Sequence, residues 1–290
     1  MIFFKLFVAF SLLSFSLLGA ELHNKNSMPS IVPIQWLQSH YKNPNLVIID
    51  VRKSDVFKQG HLKHAVNMPV FRDLFDLKNN YMMPKLDFLK QLFSRAGIDK
   101  DSLIVVYGNE QLLWAARFYW LSQVLGHKEV GLLEMGYGSW KDGALPVTTA
   151  IYTPKLKDFI PRVDNTKIET KLGVLMARGK QIIIDGRPVE FYNGKKSHAK
   201  RFGHIPTALN YPGLGNYHTL PDGGSAMKDI FQLKKLYKNL PKDKKIILYC
   251  EDGADAALNF LVLQTLGYKA SVYDGSWLEW GNDANLPISK

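Results

Sequence analysis

Short, strongly apolar runs alternate with longer stretches of helical periodicity over most of the chain. The short runs consist mainly of Val, Ile and Leu, the pattern of buried strands, and the clearest lie within residues 45–52, 102–108, 181–187 and 244–250. The longer stretches predict helices at residues 86–96, 112–125, 228–240 and 256–266. This alternation predicts α/β domains, each with a mainly parallel sheet flanked by helices.

The two halves of the chain repeat the same motifs in the same order. A strand ends in Asp-x-Arg at residues 50–52 and again at 185–187, and a Gly-His turn follows at residues 60–61 and 203–204. Because self-similarity over a long period marks repeated structural units, we predict two related domains. The histidines of both turns are expected to be structural, since they recur in both halves.

The second repeated strand ends differently in the two halves. In the first half it ends at Gly108, and in the second at Cys250, the only cysteine of the chain. A tight loop and an apolar helix follow Cys250. In such a unit the loop N–H groups and the positive helix end converge on the sulfur, which predicts a lowered thiol pKa and a nucleophile. The alternative is a cysteine that serves only as a small buried side chain.

The patterns also divide the chain into four parts. Residues 1–20 form an apolar run typical of a secretory signal peptide, residues 30–148 the first domain, residues 149–165 a connector and residues 166–290 the second domain. The signal predicts a periplasmic or secreted protein with no membrane span after cleavage; an uncleaved N-terminal anchor is the alternative. In an oxidising compartment, a cysteine without a pairing partner indicates a reactive thiol.

The segment that follows the apolar helix resembles a known family signature. Residues 270–280 read Ala-Ser-Val-Tyr-Asp-Gly-Ser-Trp-Leu-Glu-Trp, which closely resembles the C-terminal signature of the rhodanese sulfurtransferases. The repeat resembles the tandem-domain members, which include thiosulfate and 3-mercaptopyruvate sulfurtransferases. The resemblance implies two rhodanese-like domains and a persulfide on Cys250 that carries a sulfane sulfur from donor to acceptor. It also implies an inactive first domain that helps to wall the site, a role that Gly108 fits.

The resemblance further implies two arginines as anchors for the donor. Arg187 matches the arginine of the family's Asp-Ala-Arg segment, and Arg201 resembles the one before its Gly-His-Ile-Pro turn. The fixed fork of a guanidinium suits a carboxylate or the oxygens of thiosulfate. The alternatives are an ion pair with an acid for Arg187 and membership of a basic run for Arg201. Asp73 is out of register with the aspartate that mercaptopyruvate enzymes contribute from their first domain.

The loop after the cysteine departs from the family. It reads Glu251, Asp252, Gly253, Ala254 and Asp255, where thiosulfate enzymes tend to have basic residues and mercaptopyruvate enzymes Gly and Ser or Thr. A carboxylate about 4 Å from the sulfur would oppose the thiolate by about 4 kcal/mol at an effective dielectric of 20, but by only about 1 kcal/mol if water lies between. We therefore expect the acids to point outward at the mouth of the site, where they disfavour anionic donors and favour a cationic or protein partner.

Other functions fit the residues less well. A cysteine-dependent phosphatase has Arg six residues after its cysteine, where this chain has Ala256, and a disulfide oxidoreductase needs a second cysteine. The histidines are dispersed, so neither a metal nor another cofactor is expected. The formal net charge is +11, but Lys and Arg are scattered, which argues against nucleic acid as a partner.

The predicted partners are a small anionic sulfur donor, thiosulfate or 3-mercaptopyruvate, and a thiol, cyanide or protein acceptor. The remaining alternative is a rhodanese-fold persulfide carrier or protein-binding module with little turnover, because a fold does not guarantee a chemistry.

Overall fold

The structure is a computed structural model that describes residues 28–109, 111–139, 145–221 and 223–290. The predicted signal peptide, residues 1–20, lies outside these ranges. Among the described residues, no helix has both the length and the apolar character needed to cross a membrane.

The first half of the chain forms a five-stranded sheet flanked by helices. The strands of this half are β1 (Ile31–Val32), β2 (Leu46–Asp50), β3 (His61–Leu62), β4 (Ala65–Asn67), β5 (Leu103–Tyr107), β6 (Val130–Leu133) and β7 (Val147–Thr148). Its helices are α1 (Ile34–His40), α2 (Ser54–Gln59), α3 (Val70–Asp73), α4 (Leu86–Arg95) and α5 (Leu112–Val124). The sheet order is β1-β6-β5-β2-β4, and β3 pairs separately with β7.

The second half forms a second five-stranded sheet. Its strands are β8 (Ile168–Glu169), β9 (Ile182–Asp185), β10 (Leu209–Asn210), β11 (Tyr217–Thr219), β12 (Ser225–Met227), β13 (Ile246–Tyr249) and β14 (Ala270–Tyr273). Its helices are α6 (Lys171–Ala177), α7 (Val189–Tyr192), α8 (Ile230–Tyr237), α9 (Ala254–Thr265) and α10 (Ser276–Trp280). The sheet order is β10-β9-β13-β14-β8, and β11 pairs separately with β12.

The two large sheets have the same topology. Read from the matching edge, the second order is β8-β14-β13-β9-β10, the same succession as β1-β6-β5-β2-β4, and the strand pairs in both are parallel. The predicted α/β class and the predicted structural repeat are therefore confirmed. Because β5 and β13 are the central strands, Gly108 and Cys250 follow equivalent strands at the same edge of their sheets, where α/β domains build their sites.

Helices α5 and α9 join the two domains. Eleven of the thirteen residues of α5 and nine of the twelve residues of α9 are buried. A helix that is apolar on nearly every face must be covered on the side away from its own sheet. Here each helix covers the other, with the ring centroids of Tyr119 and Phe260 6.3 Å apart, and one apolar core continues through both domains.

A further contact fixes the domains relative to one another, and the connector is held against the first domain. Strand β12 crosses to the first domain, where Met227 N–H donates to the carbonyl of Glu134 at 2.8 Å. The connector is also held: the buried Phe159 ring lies 4.8 Å from that of Phe93, and its N–H donates to Ser94 Oγ at 3.1 Å. The site between the domains is therefore built on an ordered frame.

Candidate active site

Cys250 lies in a turn between β13 and α9, with its side chain fully buried. The N–H of Gly253 donates to the sulfur at 3.1 Å. Gly253 has a φ of +92°, in the left-handed region that residues with a Cβ rarely adopt. The turn thus needs a glycine at this position to aim a backbone donor at the sulfur.

The family-signature segment after β14 holds this turn in place through hydrogen bonds to the backbone of Cys250. Ser276 Oγ accepts a hydrogen bond from Cys250 N–H at 3.2 Å and donates to the carbonyl of Tyr273 at 3.0 Å. Trp277 N–H donates to the carbonyl of Cys250 at 2.9 Å. These bonds satisfy backbone groups that burial would otherwise leave unpaired. The contacts explain why the Asp-Gly-Ser-Trp segment accompanies a cysteine at the end of the neighbouring strand.

The resting thiol has a higher pKa than we predicted from the sequence. Burial raises the pKa of Cys250 well above its ordinary value, and the carboxylates of Asp252 and Asp255 raise it further, while the N–H groups of Ala256 and Asp252 oppose the shift. Asp252 Oδ1 lies 3.9 Å from the sulfur. The expectation of a lowered pKa was wrong, because exclusion of water and two nearby acids outweigh the backbone donors.

The acids of the loop do not all point to solvent. Asp252 Oδ1 accepts from Ala254 N–H at 3.1 Å at the start of α9, close to the sulfur. Asp255 Oδ1 is buried and, within the described part of the chain, lacks a hydrogen-bond partner. Burial, with Asp252 and then Asp185, raises the pKa of Asp255 to about 7. The expectation that the acids point outward was therefore wrong for Asp252 and Asp255.

Glu251 turns toward Arg187 instead of toward the sulfur. Its carboxylate accepts from Arg187 Nη1 at 3.3 Å and from His198 N–H at 3.0 Å. Burial raises the pKa of Glu251, and Arg187 opposes that shift. Glu251 therefore occupies the nitrogen of Arg187 that an anionic donor would need.

Arg187 is buried and makes mainly structural contacts. Its Nη2 lies 2.6 Å from Asp185 Oδ2 and donates to the carbonyl of Gly203 at 2.7 Å, while its guanidinium lies 4.4 Å from the ring of Trp277. The ion pair proposed as the alternative to a donor anchor is present. Arg187 could serve as an anchor only through Nη1, after Glu251 has moved.

Arg201 closes the C-terminal end of α10. Its guanidinium donates to the carbonyls of Trp280 at 2.8 Å, Gly281 at 3.1 Å and Leu286 at 2.7 Å, and also to that of Asp283. These carbonyls include groups that a helix end leaves without intrahelical partners. Among the described residues, none of its hydrogen bonds reaches the cysteine loop, so these contacts do not support a role as donor anchor.

Asp73 is likewise engaged elsewhere. Its two carboxylate oxygens accept from Arg72 Nε at 2.8 Å and Arg72 Nη2 at 2.6 Å. These described hydrogen bonds of Asp73 do not reach Cys250, so they do not support Asp73 as a donor-binding residue.

The two turn histidines make matching contacts, as expected for structural residues. The His61 ring stacks on that of Phe57 at 3.7 Å, and its Nδ1 lies 2.8 Å from the Phe57 carbonyl. The His204 ring stacks on that of Tyr192 at 3.9 Å, and its Nδ1 lies 2.9 Å from the Tyr192 carbonyl.

One residue at the site was missed from the sequence. Arg117, fully buried on α5 of the first domain, pairs with Asp274 of the family signature, with Nη1 2.5 Å from Oδ1. The pair lies directly against Gly253 of the cysteine loop. The available signal was a single charged residue within an otherwise apolar helix, since such a charge requires a buried partner.

The described residues contain no group of three or more His, Cys, Asp or Glu side chains that could hold a metal ion. Two clefts, of about 630 and 730 Å³, lie beside the connector and are lined by residues of the first domain and the connector. Cys250 lines neither of these two clefts, and its side chain is fully buried.

Comparisons with known proteins agree with the fold and the repeat. The family model of the rhodanese-like domain matches residues 33–143 and 170–283. The sulfur carrier protein TtuD of Thermus thermophilus is 32% identical over 280 residues, 90% of this chain and 96% of that protein. A thiosulfate sulfurtransferase of Corynebacterium glutamicum is 30% identical over 274 residues, 89% of each chain.

A solved structure extends the agreement to three dimensions. The 3-mercaptopyruvate sulfurtransferase SseA of Escherichia coli matches with a TM-score of 0.74 and 26% identity, covering 86% of this chain and 99% of that one. Both domains of this chain are matched by the family model, and they share one strand order. The chain therefore belongs to the rhodanese family, as a tandem-domain sulfurtransferase.

Proposed function

We propose that the protein transfers a sulfane sulfur from a small anionic donor to a thiophilic acceptor through a persulfide on Cys250. The observation that carries the proposal is the placement of the sulfur: it follows the central strand β13, and the Gly253 N–H points at it from 3.1 Å. The equivalent turn of the first domain has Gly108, so only the second domain has a nucleophile.

The chemistry begins with loss of the thiol proton. The proton leaves to solvent, and the Asp252 carboxylate, with Oδ1 3.9 Å from the sulfur, opposes its loss because the negative charge raises the pKa of the thiol. The thiolate then attacks the outer sulfur of thiosulfate: the new S–S bond forms, the S–S bond of the donor breaks, and its electron pair leaves with sulfite. Attack of cyanide on the outer sulfur of the persulfide releases thiocyanate and restores the thiolate. Backbone N–H groups of the turn stabilise the anionic sulfur at both stages.

Thiosulfate is our first choice of donor and 3-mercaptopyruvate the second. The curated relatives named as thiosulfate sulfurtransferases support the first, and the E. coli structure supports the second. In either case the donor anion would replace the Glu251 carboxylate at Arg187 Nη1 and His198 N–H, which keeps Arg187 as a proposed anchor.

A donor panel with cyanide as acceptor tests the proposal. Wild type is expected to form thiocyanate from thiosulfate or 3-mercaptopyruvate, and Cys250→Ser is expected to form none. Mass spectrometry of wild type treated with donor alone should show about 32 Da added at Cys250, one sulfur atom. Equal thiocyanate formation by the two proteins would exclude Cys250 as the nucleophile.

A persulfide carrier with little turnover is the second candidate. The buried thiol with its raised pKa favours it, because such a sulfur reacts slowly with small anions. The 32% identity to a sulfur carrier protein also supports it. The carrier predicts a stable added sulfur on Cys250 without thiocyanate formation, and transfer only to a protein acceptor.

We also propose that the protein is exported to the periplasm or secreted, on the basis of the apolar residues 1–20 and the polar segment that follows. The mass of the purified native protein would show cleavage near Ala20. The full-length mass in a membrane fraction would favour the uncleaved anchor.

A further inference from the structure

The cysteine loop rests on an ion pair that crosses the domain interface. Arg117 comes from α5 of the first domain, and Asp274 follows β14 of the second, 157 residues later. Asp274 Oδ2 also accepts from Met83 N–H of the first domain at 2.5 Å. One carboxylate of the second domain therefore receives two donors from the first.

The guanidinium of Arg117 is placed by several contacts at once. Its Nε and Nη2 approach the carbonyls of Leu74 and Tyr81, each at 3.4 Å, and its central carbon lies 4.4 Å from the ring of Phe75 and 4.6 Å from that of Trp120. A buried arginine in such a cage has a single position, because its planar fork matches all of these groups together. The Nη1 group is left to meet Asp274.

Gly253 packs onto this pair. A Cβ built on Gly253 would lie 2.7 Å from Arg117 Nη1 and 3.3 Å from Asp274 Oδ1. The same glycine directs its N–H to the sulfur of Cys250 at 3.1 Å. The path from the first domain to the sulfur is thus Arg117, the backbone of Gly253, and Cys250, without an intervening side chain.

We propose that Arg117 is a positioning residue for sulfur transfer: through its ion pair with Asp274 it holds Gly253 in the conformation that aims the Gly253 N–H at Cys250, and its charge neutralises the Asp274 carboxylate beside the loop. The inference rests on the proposed function of Cys250. It gives the first domain, which has no nucleophile, a defined part in the reaction. The charged groups around the loop are then Asp252 and Asp255, the pair of Glu251 with Arg187, and the pair of Arg117 with Asp274.

Three variants test it: Arg117→Met, Asp274→Asn and the double variant. We measure the single-turnover rate of Cys250 persulfide formation with thiosulfate and with 3-mercaptopyruvate, and the pH midpoint of Cys250 alkylation by iodoacetamide. Arg117→Met leaves a carboxylate unpaired beside the loop, so we expect a rate loss of about tenfold or more and a midpoint raised by about one pH unit. The double variant removes both charges and should return the midpoint close to that of wild type.

Arg52→Met is the matched control, because Arg52 forms a buried ion pair with Asp50 inside the first domain, away from the sulfur. Both measurements are normalised to the folded fraction. An Arg117→Met protein with a wild-type midpoint, or with the same rate loss as Arg52→Met, would overturn the proposal. If Arg117→Met does not fold, Arg117→Lys decides: it keeps the charge but loses the fork, so a lower rate with an unchanged midpoint supports positioning, and an unchanged rate contradicts it.

The two proposals can fail separately. Absence of any persulfide on wild-type Cys250 would exclude the proposed function. The alkylation midpoints would still show whether Arg117 and Asp274 control the environment of the thiol.

Discussion

Arg52 and Arg187 occupy equivalent places in the two domains and make the same ion pair. Arg52 Nη2 lies 2.6 Å from Asp50 Oδ2, and Arg187 Nη2 lies 2.6 Å from Asp185 Oδ2. Each also donates to the carbonyl of the glycine in the following Gly-His turn at 2.7 Å. Because the first domain has Gly108 in place of a cysteine, contacts that both domains share serve the fold and not the sulfur chemistry.

The first prediction separates the structural role of Arg187 from a role in donor binding. Arg187→Met and Arg52→Met each leave a buried carboxylate unpaired, so both should lower the free energy of unfolding by about 3–5 kcal/mol. An anchor role would add a rise in KM for an anionic donor of about tenfold or more, in Arg187→Met alone. Urea unfolding and steady-state kinetics of the two variants measure these effects. Equal KM values in the folded variants would assign Arg187 to structure only.

The second prediction concerns the charge around the thiol. Asp252→Asn removes a carboxylate 3.9 Å from the sulfur and should lower the pKa of Cys250 by about one unit. Glu251→Gln is the matched control, because the Glu251 carboxylate is paired with Arg187 and should leave that pKa nearly unchanged. Thiolate absorbance near 240 nm, followed against pH, measures both. An equal shift in the two variants would show that the pairing of Glu251 does not shield the thiol.

The same substitutions should change the rate with anionic donors. The double variant Glu251→Gln/Asp252→Asn is expected to raise kcat/KM severalfold at low salt, since two repulsive interactions of about 1 kcal/mol or less are removed. The gain should shrink at 1 M salt, where the Debye length is about 3 Å. Rates at both salt concentrations check this. A lower rate in the double variant would indicate that one acid orients the donor or removes the thiol proton.

The third prediction follows from Asp255, whose pKa is raised from 3.8 to about 7 in the folded protein. Between these values the folded state binds the proton and the unfolded state does not, so this carboxyl destabilises the fold increasingly as pH rises from about 4 to 7. Asp255→Asn should therefore be more stable than wild type at pH 8, by about 4 kcal/mol, with the difference vanishing below about pH 4. Urea unfolding across this range measures it. Asp87→Asn, on an exposed face, is the control, and a pH-independent difference would contradict the assignment.

The fourth prediction tests the close approach at Gly253. Gly253→Ala should lower the free energy of unfolding by more than about 1 kcal/mol and slow persulfide formation, because its Cβ would meet Arg117 Nη1 at 2.7 Å and its φ of +92° is unfavourable. Gly267→Ala is matched, with a φ of +79° and nothing within 4 Å of the added Cβ. Gly267→Ala should therefore lower the free energy of unfolding only by the cost of placing a residue with a Cβ at positive φ. Equal stability and activity in the two variants would mean that the cysteine loop accommodates the added Cβ, and that the close contact of Gly253 with Arg117 is not required.

Local information was enough to predict most of the fold. The period of apolar residues depends on near neighbours in the chain, and it located β5, β13 and the long helices within two or three residues of their ends. The repeat of the Asp-x-Arg and Gly-His motifs was sufficient to predict two related domains, and the two sheets have the same strand order. The place of Cys250 at the end of the central strand and its signature segment also follow from order along the chain, because β13 and β14 are adjacent strands joined by α9.

The electrostatics of the site depended on tertiary structure. Three features of the site depend on contacts that form only in the folded chain. They are the approach of Asp252 to the sulfur, the pairing of Glu251 with Arg187 and the burial of the thiol. The clearest case is Arg117, which reaches Asp274 across 157 residues only because α5 and α9 bury each other at the domain interface. Periodicity predicts that such a helix is buried; it is the packing of two domains that decides which charge its arginine meets.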